Sequence, residues 1–364
     1  AQALAPLIAQ SWSLATALDA IAGHPERFRK PRNRSHTEPR DFKAPNWADQ
    51  RRADAAYEGR DPAVLVIGAG QAGLSIAARL RQLEIDTLVI DRHQRVGDNW
   101  RKRYHALSLH TRTSVNHLPY LPFPETWPDY ISKDMLADWF EYYATAMEIN
   151  LWSATEFLSG RYDENAGRWN VTLRLADAQE RILHPRHLIM ATGVSALPAK
   201  ARIQGLDAFR GQVLHSGEYA DGAAWSGRPV MVFGTGTSAH DVAQDLHANG
   251  AQVTLVQRSP TMVQNIEPTA QLPYMTYEEG PSVDDCDLIG LGTPMALVRQ
   301  SSRLTNPMAI ELDRPLIDGL KAAGFQVDEG EDGIGWQLKY QMRGGGYYFN
   351  VGCSNLIAEG QIKV

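Results

Sequence analysis

Two stretches of this chain repeat one arrangement of apolar and polar positions. In the first, Ala63, Val64, Leu65, Val66 and Ile67 run without a polar break, as a strand buried on both faces requires. A glycine turn follows. Gly73 to Leu83 then places Leu74, Ile76, Ala77 and Leu80 on one helical face, and Thr87 to Ile90 is the next buried strand. In the second, Val230, Met231, Val232 and Phe233 form a buried strand, followed by a glycine turn, a helix through Leu246 and a strand from Val253 to Val256. Strand, turn, helix and strand within about thirty residues is the unit of a doubly wound parallel sheet.

The intervening pattern predicts a helix from Ser132 to Met147 with Ser132 as N-cap. Trp169, Val171 and Leu173 alternate with Asn170 and Thr172 behind the turn residues Glu164, Asn165 and Gly167, which predicts a hairpin. Leu188 to Met190 is a further short buried strand that ends at Ala191, Thr192 and Gly193. Residues 267–335 hold turns, prolines and acidic residues, with helical pieces at Met295 to Leu304 and Pro315 to Ala323 and no element assigned to the rest. Upstream, Leu4, Leu7, Ile8, Trp12, Leu18 and Ile21 repeat at helical spacing, an amphipathic helix expected to dock on protein. Residues 24–60 show no sustained period and read as a linker. The expectation is an α/β protein: an N-terminal helix and linker over 1–60, then two Rossmann-like dinucleotide-binding domains over 61–194 and 195–364.

Composition narrows the function. With 43% hydrophobic and 21% charged residues, the 364-residue chain is globular, and its net charge of −6 gives no electrostatic support for a nucleic-acid partner. The basic stretch Arg27 to Arg40 is interrupted by Pro, His, Ser and Glu and reads as a solvated linker. No apolar run is long enough to cross a bilayer. The two cysteines, Cys286 and Cys353, form no C-x-x-C, which removes a redox dithiol and a zinc cluster and leaves a disulfide between them open. No metal site is expected, the cytoplasm is the default location, and oligomeric state is left open, a homo-oligomer included. The chain starts at Ala1, so its natural beginning is expected upstream.

The glycine turns carry the chemistry. The first is Gly68, Ala69, Gly70, Gln71, Ala72, Gly73: one glycine for the bend, one for close approach of a pyrophosphate, one for helix–strand packing. The helix N-terminus adds its positive end. Asp91 lies 23 residues past Gly68, placed to accept ribose hydroxyls, with Arg92 beside it. The second turn is Gly234, Thr235, Gly236, Thr237, Ser238, Ala239, and the same step from Gly234 reaches Gln257, followed by Arg258 and Ser259. A carboxylate that would repel a 2′-phosphate is missing there, and a guanidinium stands beside the gap. This charge contrast assigns FAD to the first turn and NADPH to the second.

Between the turns, Phe209, Gly211, His215 and Tyr219 form F-x-G-x-x-x-H-x-x-x-Y, which resembles the fingerprint of class B flavin-dependent monooxygenases. Tyr219 is followed by Ala220, similar to the flavin-containing and plant YUCCA-type members rather than the Baeyer–Villiger enzymes. Gly97, Asp98, Asn99, Trp100 resembles the family's G-G-x-W element, with Asp98 departing from the second glycine. Leu109 and His110 with Leu118, Pro119 and Pro122, Phe123, Pro124 resemble L-H, L-P and P-F-P of the YUCCA type, and Ala191, Thr192, Gly193 matches the A-T-G linker. The resemblance implies a NADPH domain inserted into the FAD domain, whose C-terminal return is expected beyond Val364. It implies that NADPH reduces FAD, that O2 adds at the flavin C4a atom, and that the hydroperoxide passes one oxygen to a small-molecule substrate. His110 is then placed at the flavin edge, with a satisfied structural histidine as the equal alternative, while His215 and Tyr219 act in catalysis or, more readily, brace the interdomain region. A NADPH oxidase releasing peroxide and a non-catalytic dinucleotide-binding scaffold are the competing readings, and amine, sulfide and 2-oxo acid substrates stay open.

Overall fold

In the computed structural model, which describes residues 21–30, 41–195, 197–278 and 280–364, the chain forms two units. One holds residues 21–103 and 117–210, the other residues 104–116 and 211–364. The N-terminal amphipathic helix and part of the basic stretch fall, up to residue 20 and over 31–40, outside the described residues.

The first unit opens with a helix where a linker was expected, α1 (Trp47–Ala56). Its start is a capping box: the Asn46 side chain accepts from the Asp49 amide at 2.9 Å, and the Asp49 carboxylate accepts from the Asn46 amide at 3.1 Å. No residue of α1 is buried, so the helix carries no apolar stripe to betray it. Polar contacts dock it instead. Arg51 donates to Glu148 O at 2.6 Å and Asn150 Oδ1 at 2.7 Å, and Trp152 Nε1 donates to Ala55 O at 2.6 Å.

The expected strand–helix–strand follows as β1 (Val64–Ile67), α2 (Gln71–Gln82) and β2 (Thr87–Ile90). Next come the short α3 (Asp98–Arg101) and α4 (Lys133–Ala146), where Ser132 Oγ accepts from the Met135 amide as the expected N-cap. Strands β3 (Asn150–Trp152), β4 (Glu156–Asp163), β5 (Arg168–Arg174), β6 (Glu180–Leu183) and β7 (His187–Met190) complete the unit. A parallel sheet runs β3-β2-β1-β7, and β4-β5-β6 form an antiparallel sheet that includes the expected hairpin. Leu65, Ile67, Leu88 and Ile90 share one core cluster with Val171, Leu173, Leu183 and Tyr57. Because successive side chains alternate, Val64 and Val66, also buried, face the other side of the sheet.

The second unit holds β8 (Pro229–Phe233), α5 (Thr237–Ala248) and β9 (Gln252–Val256), with β8 and β9 parallel. The last residues run beside β9, where Leu255 N donates to Lys363 O at 2.8 Å. Strand β10 (Met262–Asn265) leads into a 3-10 segment, Thr269–Glu278. Helices α6 (Val283–Gly292), α7 (Met295–Leu312), α8 (Arg314–Ala322) and α9 (Trp336–Arg343) follow, then β11 (Tyr347–Asn350) and α10 (Cys353–Ala358). β11 pairs in parallel with β10, so the stretch without a sequence assignment is bracketed by a strand pair.

Two strands read as buried are not. Met190 on β7 is 55% exposed, and on β8 Met231 and Phe233 are 57% and 48% exposed. Both strands hydrogen-bond to one neighbour only among the described residues. Continuous apolar sequence therefore sits on a sheet edge, which composition does not distinguish from a central strand.

Candidate functional site

The first glycine turn is held so closely that side chains are excluded from it. Gly68 has φ +109°, and a Cβ there would lie 2.5 Å from Ala191 O at the end of β7. A Cβ on Gly73 would lie 1.8 Å from Gly68 O. At Gly70 the nearest protein atom to such a Cβ is Asn99 Nδ2, at 3.5 Å, so this position opens outward. Gly70 is also the N-cap of α2 and supplies no side-chain cap, which leaves the first-turn amides around Gln71 and Ala72 available to an anion.

Asp91 ends β2 and reaches back to this turn. Its Oδ2 accepts from the Ala69 amide at 2.8 Å, and its Oδ1 accepts from the His93 amide at 2.8 Å and lies 2.8 Å from His93 Nδ1. Burial pushes the carboxyl upward, but these hydrogen bonds prevail and hold it below the usual carboxylate range. His93 is a partner that sequence reading missed. Arg92 is exposed beside it. Trp100 Nε1 donates to Gln71 Oε1 at 3.4 Å, which brings α3 to the start of α2. Asp98, where the resemblance would have glycine, is buried and paired with Arg101 at 2.6 Å and Lys102 at 3.0 Å. Gly68, Gly70, Gln71, Ala72, Gly73, Asp91, Asn99, Trp100, Ala191 and Thr192 therefore gather around one helix N-terminus, with Gly193 at φ +73° next in the chain.

The second turn has the same design. Gly234 has φ +113°, and Gly234 N donates to Val256 O at 3.0 Å. Ala239 Cβ lies 4.0 Å from the Cβ site at Gly234, so alanine fits where the first turn needs Gly73. Nothing lies within 4 Å of the Cβ site at Gly236, the uncapped N-cap of α5. Thr235 Oγ1 and Thr261 Oγ1 are 2.5 Å apart, which brings the 257–261 loop against the turn. Gln257 is committed to the backbone of Gln326: its Nε2 donates to Gln326 O at 2.9 Å and its Oε1 accepts from Gln326 N at 2.7 Å. Arg258 and Ser259 are exposed beside it.

Behind this turn, His240 is fully buried and stacks on Tyr348 with ring centroids 3.9 Å apart. Burial depresses its pKa to about 4, so the ring is neutral.

His110 lies in the second unit. It lines a cavity of about 290 Å³ with Tyr274, Trp336, Tyr340 and Tyr347. Its ring meets Phe349 edge-on at 5.0 Å, and burial lowers its pKa below the ordinary histidine value. Thr237 Oγ1 donates to Tyr347 O at 3.5 Å, so this wall abuts the second glycine turn. His215 and Tyr219 are engaged locally. His215 N donates to Glu218 Oε2 at 2.7 Å, and Gly217 N donates to His215 Nδ1 at 3.1 Å. Tyr219 is buried and donates to Asp245 Oδ2 on α5 at 2.6 Å. Cys286 and Cys353 are free and buried, which closes the disulfide left open by the sequence. Sequence reading did not name the cavity's aromatic residues. The clustering of Trp336, Tyr340, Tyr347 and Phe349 was the available signal.

Residues 65–279 match the family described as pyridine nucleotide-disulphide oxidoreductase. The chain is 35% identical to the probable indole-3-pyruvate monooxygenase YUCCA8 of Arabidopsis thaliana over 199 residues, 54% of this chain and 47% of that protein. It is 34% identical to the indole-3-pyruvate monooxygenase YUCCA1 of Oryza sativa subsp. japonica over 216 residues, 59% and 52% of the two chains. The chain thus spans about half the length of the curated relatives it matches. Among solved structures, OTEMO in complex with FAD and NADP is similar at a TM-score of 0.50 and 26% identity, over 57% of this chain and 40% of that one. These findings bear out the resemblance to flavin-dependent monooxygenases read from the motifs.

Proposed function

Because this chain belongs to the pyridine nucleotide-disulphide oxidoreductase family, we propose that it is an FAD- and NADPH-dependent monooxygenase acting on a small molecule with O2. One observation carries the reading: two glycine turns end on uncapped helices, with a partly buried carboxylate beside one and an exposed guanidinium beside the other. Both cradles fit a dinucleotide, since a Cβ at Gly70 or Gly236 would meet open space or ordinary contact, and in the first turn the bend at Gly68 and Gly73 is closed by backbone.

In this reading Gly70, Gln71, Ala72 and Gly73 hold the FAD pyrophosphate through first-turn amides, and Asp91 holds the ribose. Thr235, Gly236, Thr237, Ser238 and Ala239 hold the NADPH pyrophosphate. Arg258 and Ser259 hold the 2′-phosphate, Gln257 being a neutral neighbour that does not repel it. When bound, the nicotinamide supplies a hydride and the flavin supplies oxygen activation. The protein contributes binding, orientation and exclusion of water. His110, kept neutral by burial, offers a hydrogen bond rather than a charge at the cavity wall. Tyr219 and His215 brace the segment that joins α5, a positioning role supported by their local partners.

The relatives named indole-3-pyruvate monooxygenases and the FAD and NADP bound to OTEMO support the same assignment. Anaerobic mixing of the FAD-reconstituted protein with NADPH, then with NADH, tests it. Flavin absorbance at about 450 nm should bleach faster with NADPH. A protein that retains no flavin, or a flavin that NADPH leaves unbleached, overturns the proposal. Peroxide released in full stoichiometry with NADPH, with no product from an amine, sulfide, ketone or 2-oxo acid, would instead mark an oxidase.

A further inference from the structure

We propose that the aromatic cavity beside His110 binds a planar aromatic molecule without negative charge, and that its walls turn away 2-oxo acids. Calling that molecule the substrate rests on the monooxygenase reading. The cavity's preference for it does not.

The walls are π-systems arranged around a common space. Trp336 and Tyr347 have ring centroids 5.4 Å apart, Tyr340 stands perpendicular to Tyr347 at 5.9 Å, and Tyr274 approaches Trp336 at 5.9 Å. The polar residues of the lining, Thr111, Gln337 and Gln341, are all neutral. Aromatic faces carry negative potential, so they attract ring edges, apolar bodies and cations and repel a carboxylate.

An anion would need a cation, and the two described ones that flank lining residues in the chain, Arg112 and Lys339, are committed elsewhere. Arg112, next to Thr111, forms a bidentate pair with Glu267 at 2.8 and 2.7 Å and lies 3.3 Å from Glu278. Lys339, between the lining residues of α9, is buried against Asp328. A carboxylate taken into this cavity would lose its water without gaining a partner, which is costly.

His110 adds no charge, since burial favours its neutral form.

The test compares two isosteres by calorimetric titration of the FAD-reconstituted protein: indole-3-acetone, a methyl ketone, and indole-3-pyruvate, which has a carboxylate in place of the methyl. The ketone should bind about tenfold tighter or more, the factor expected from even a low desolvation cost. Gln341→Arg, at an exposed position of α9, should raise affinity for the keto acid, which a purely steric preference would not allow. Equal or tighter binding of indole-3-pyruvate by the unmodified protein overturns the proposal, as does Gln341→Arg with a native circular dichroism spectrum and no gain in keto-acid affinity. NADPH bleaching is read on the same sample. Bleaching without ketone binding sinks the cavity proposal alone. Ketone binding without bleaching sinks the monooxygenase reading alone.

Discussion

Gly73→Ala probes the tightest backbone approach in the first glycine turn. The added Cβ would lie 1.8 Å from Gly68 O and 3.0 Å from Gly68 C, with Ala191 Cβ at 3.5 Å behind them. Ordinary contact is about 3.5 Å, so the start of α2 must move away from the turn by roughly the present separation again. The obstacle is a backbone carbonyl, which cannot rotate aside as a side chain would. Overpacking typically costs about 1–3 kcal/mol, and a rigid obstacle places this change at about 2–3 kcal/mol. For a unit of this size that corresponds to about 4–12 °C in melting temperature. Ala239→Gly is the matched control. Its Cβ already sits 4.0 Å from the equivalent site at Gly234, so removal should cost only helix propensity, about 0.5–1 kcal/mol. Thermal unfolding of the FAD-free proteins by circular dichroism, with flavin retention after reconstitution, measures both. Gly73→Ala should melt markedly lower and hold little flavin. A Gly73→Ala protein melting within about a degree of the parent and retaining its flavin would refute the argument from close approach.

Three further outcomes follow from the same geometry. Arg258→Ala should raise the NADPH concentration needed for half-maximal flavin bleaching about tenfold while leaving the NADH response nearly unchanged, and an unaltered preference for NADPH in stopped-flow would remove this residue from the phosphate site. Asp91 has a folded pKa held below its unfolded value, so its contribution is complete above the unfolded value of about 3.9 and vanishes as pH falls through the lower folded value. Asp91→Asn should therefore cost about 1–2 kcal/mol at neutral pH, with the gap closing as pH falls below the unfolded value of about 3.9, and a constant gap in melting temperature through that acid range would count against the assignment. Tyr219→Phe removes a 2.6 Å hydrogen bond to Asp245, which keeps its bond from Asn249, so stability should fall by about 1–2 kcal/mol with the bleaching rate within about twofold. A hundredfold slower reaction at unchanged stability would instead make Tyr219 catalytic.

Much of the first unit was legible because its signals are local. Gly68 to Gly73 sits between two apolar runs, and the structure returns strand, turn, helix and strand with boundaries shifted by two residues or fewer at α2 and unchanged at β2. Ser132 announced its helix through a side chain that caps within three residues. Helix α1 escaped because it buries nothing and is docked by Arg51 and by Trp152, residues whose partners lie about a hundred positions apart in the chain. Edge strands β7 and β8 were read as buried because an apolar run records propensity for a sheet, not the number of neighbours it finds there.

The sequence by itself determined the two glycine turns, their flanking elements and the contrast between Asp91 and Arg258, since each lies within one short window whose spacing is set by helix and strand geometry. Tertiary structure alone decided that Gln257 is consumed by Gln326, and that His110 shares a cavity with Tyr274, Trp336 and Tyr347. Those groups meet only after segments distant along the chain have packed, and no local period encodes which distant side chain will arrive.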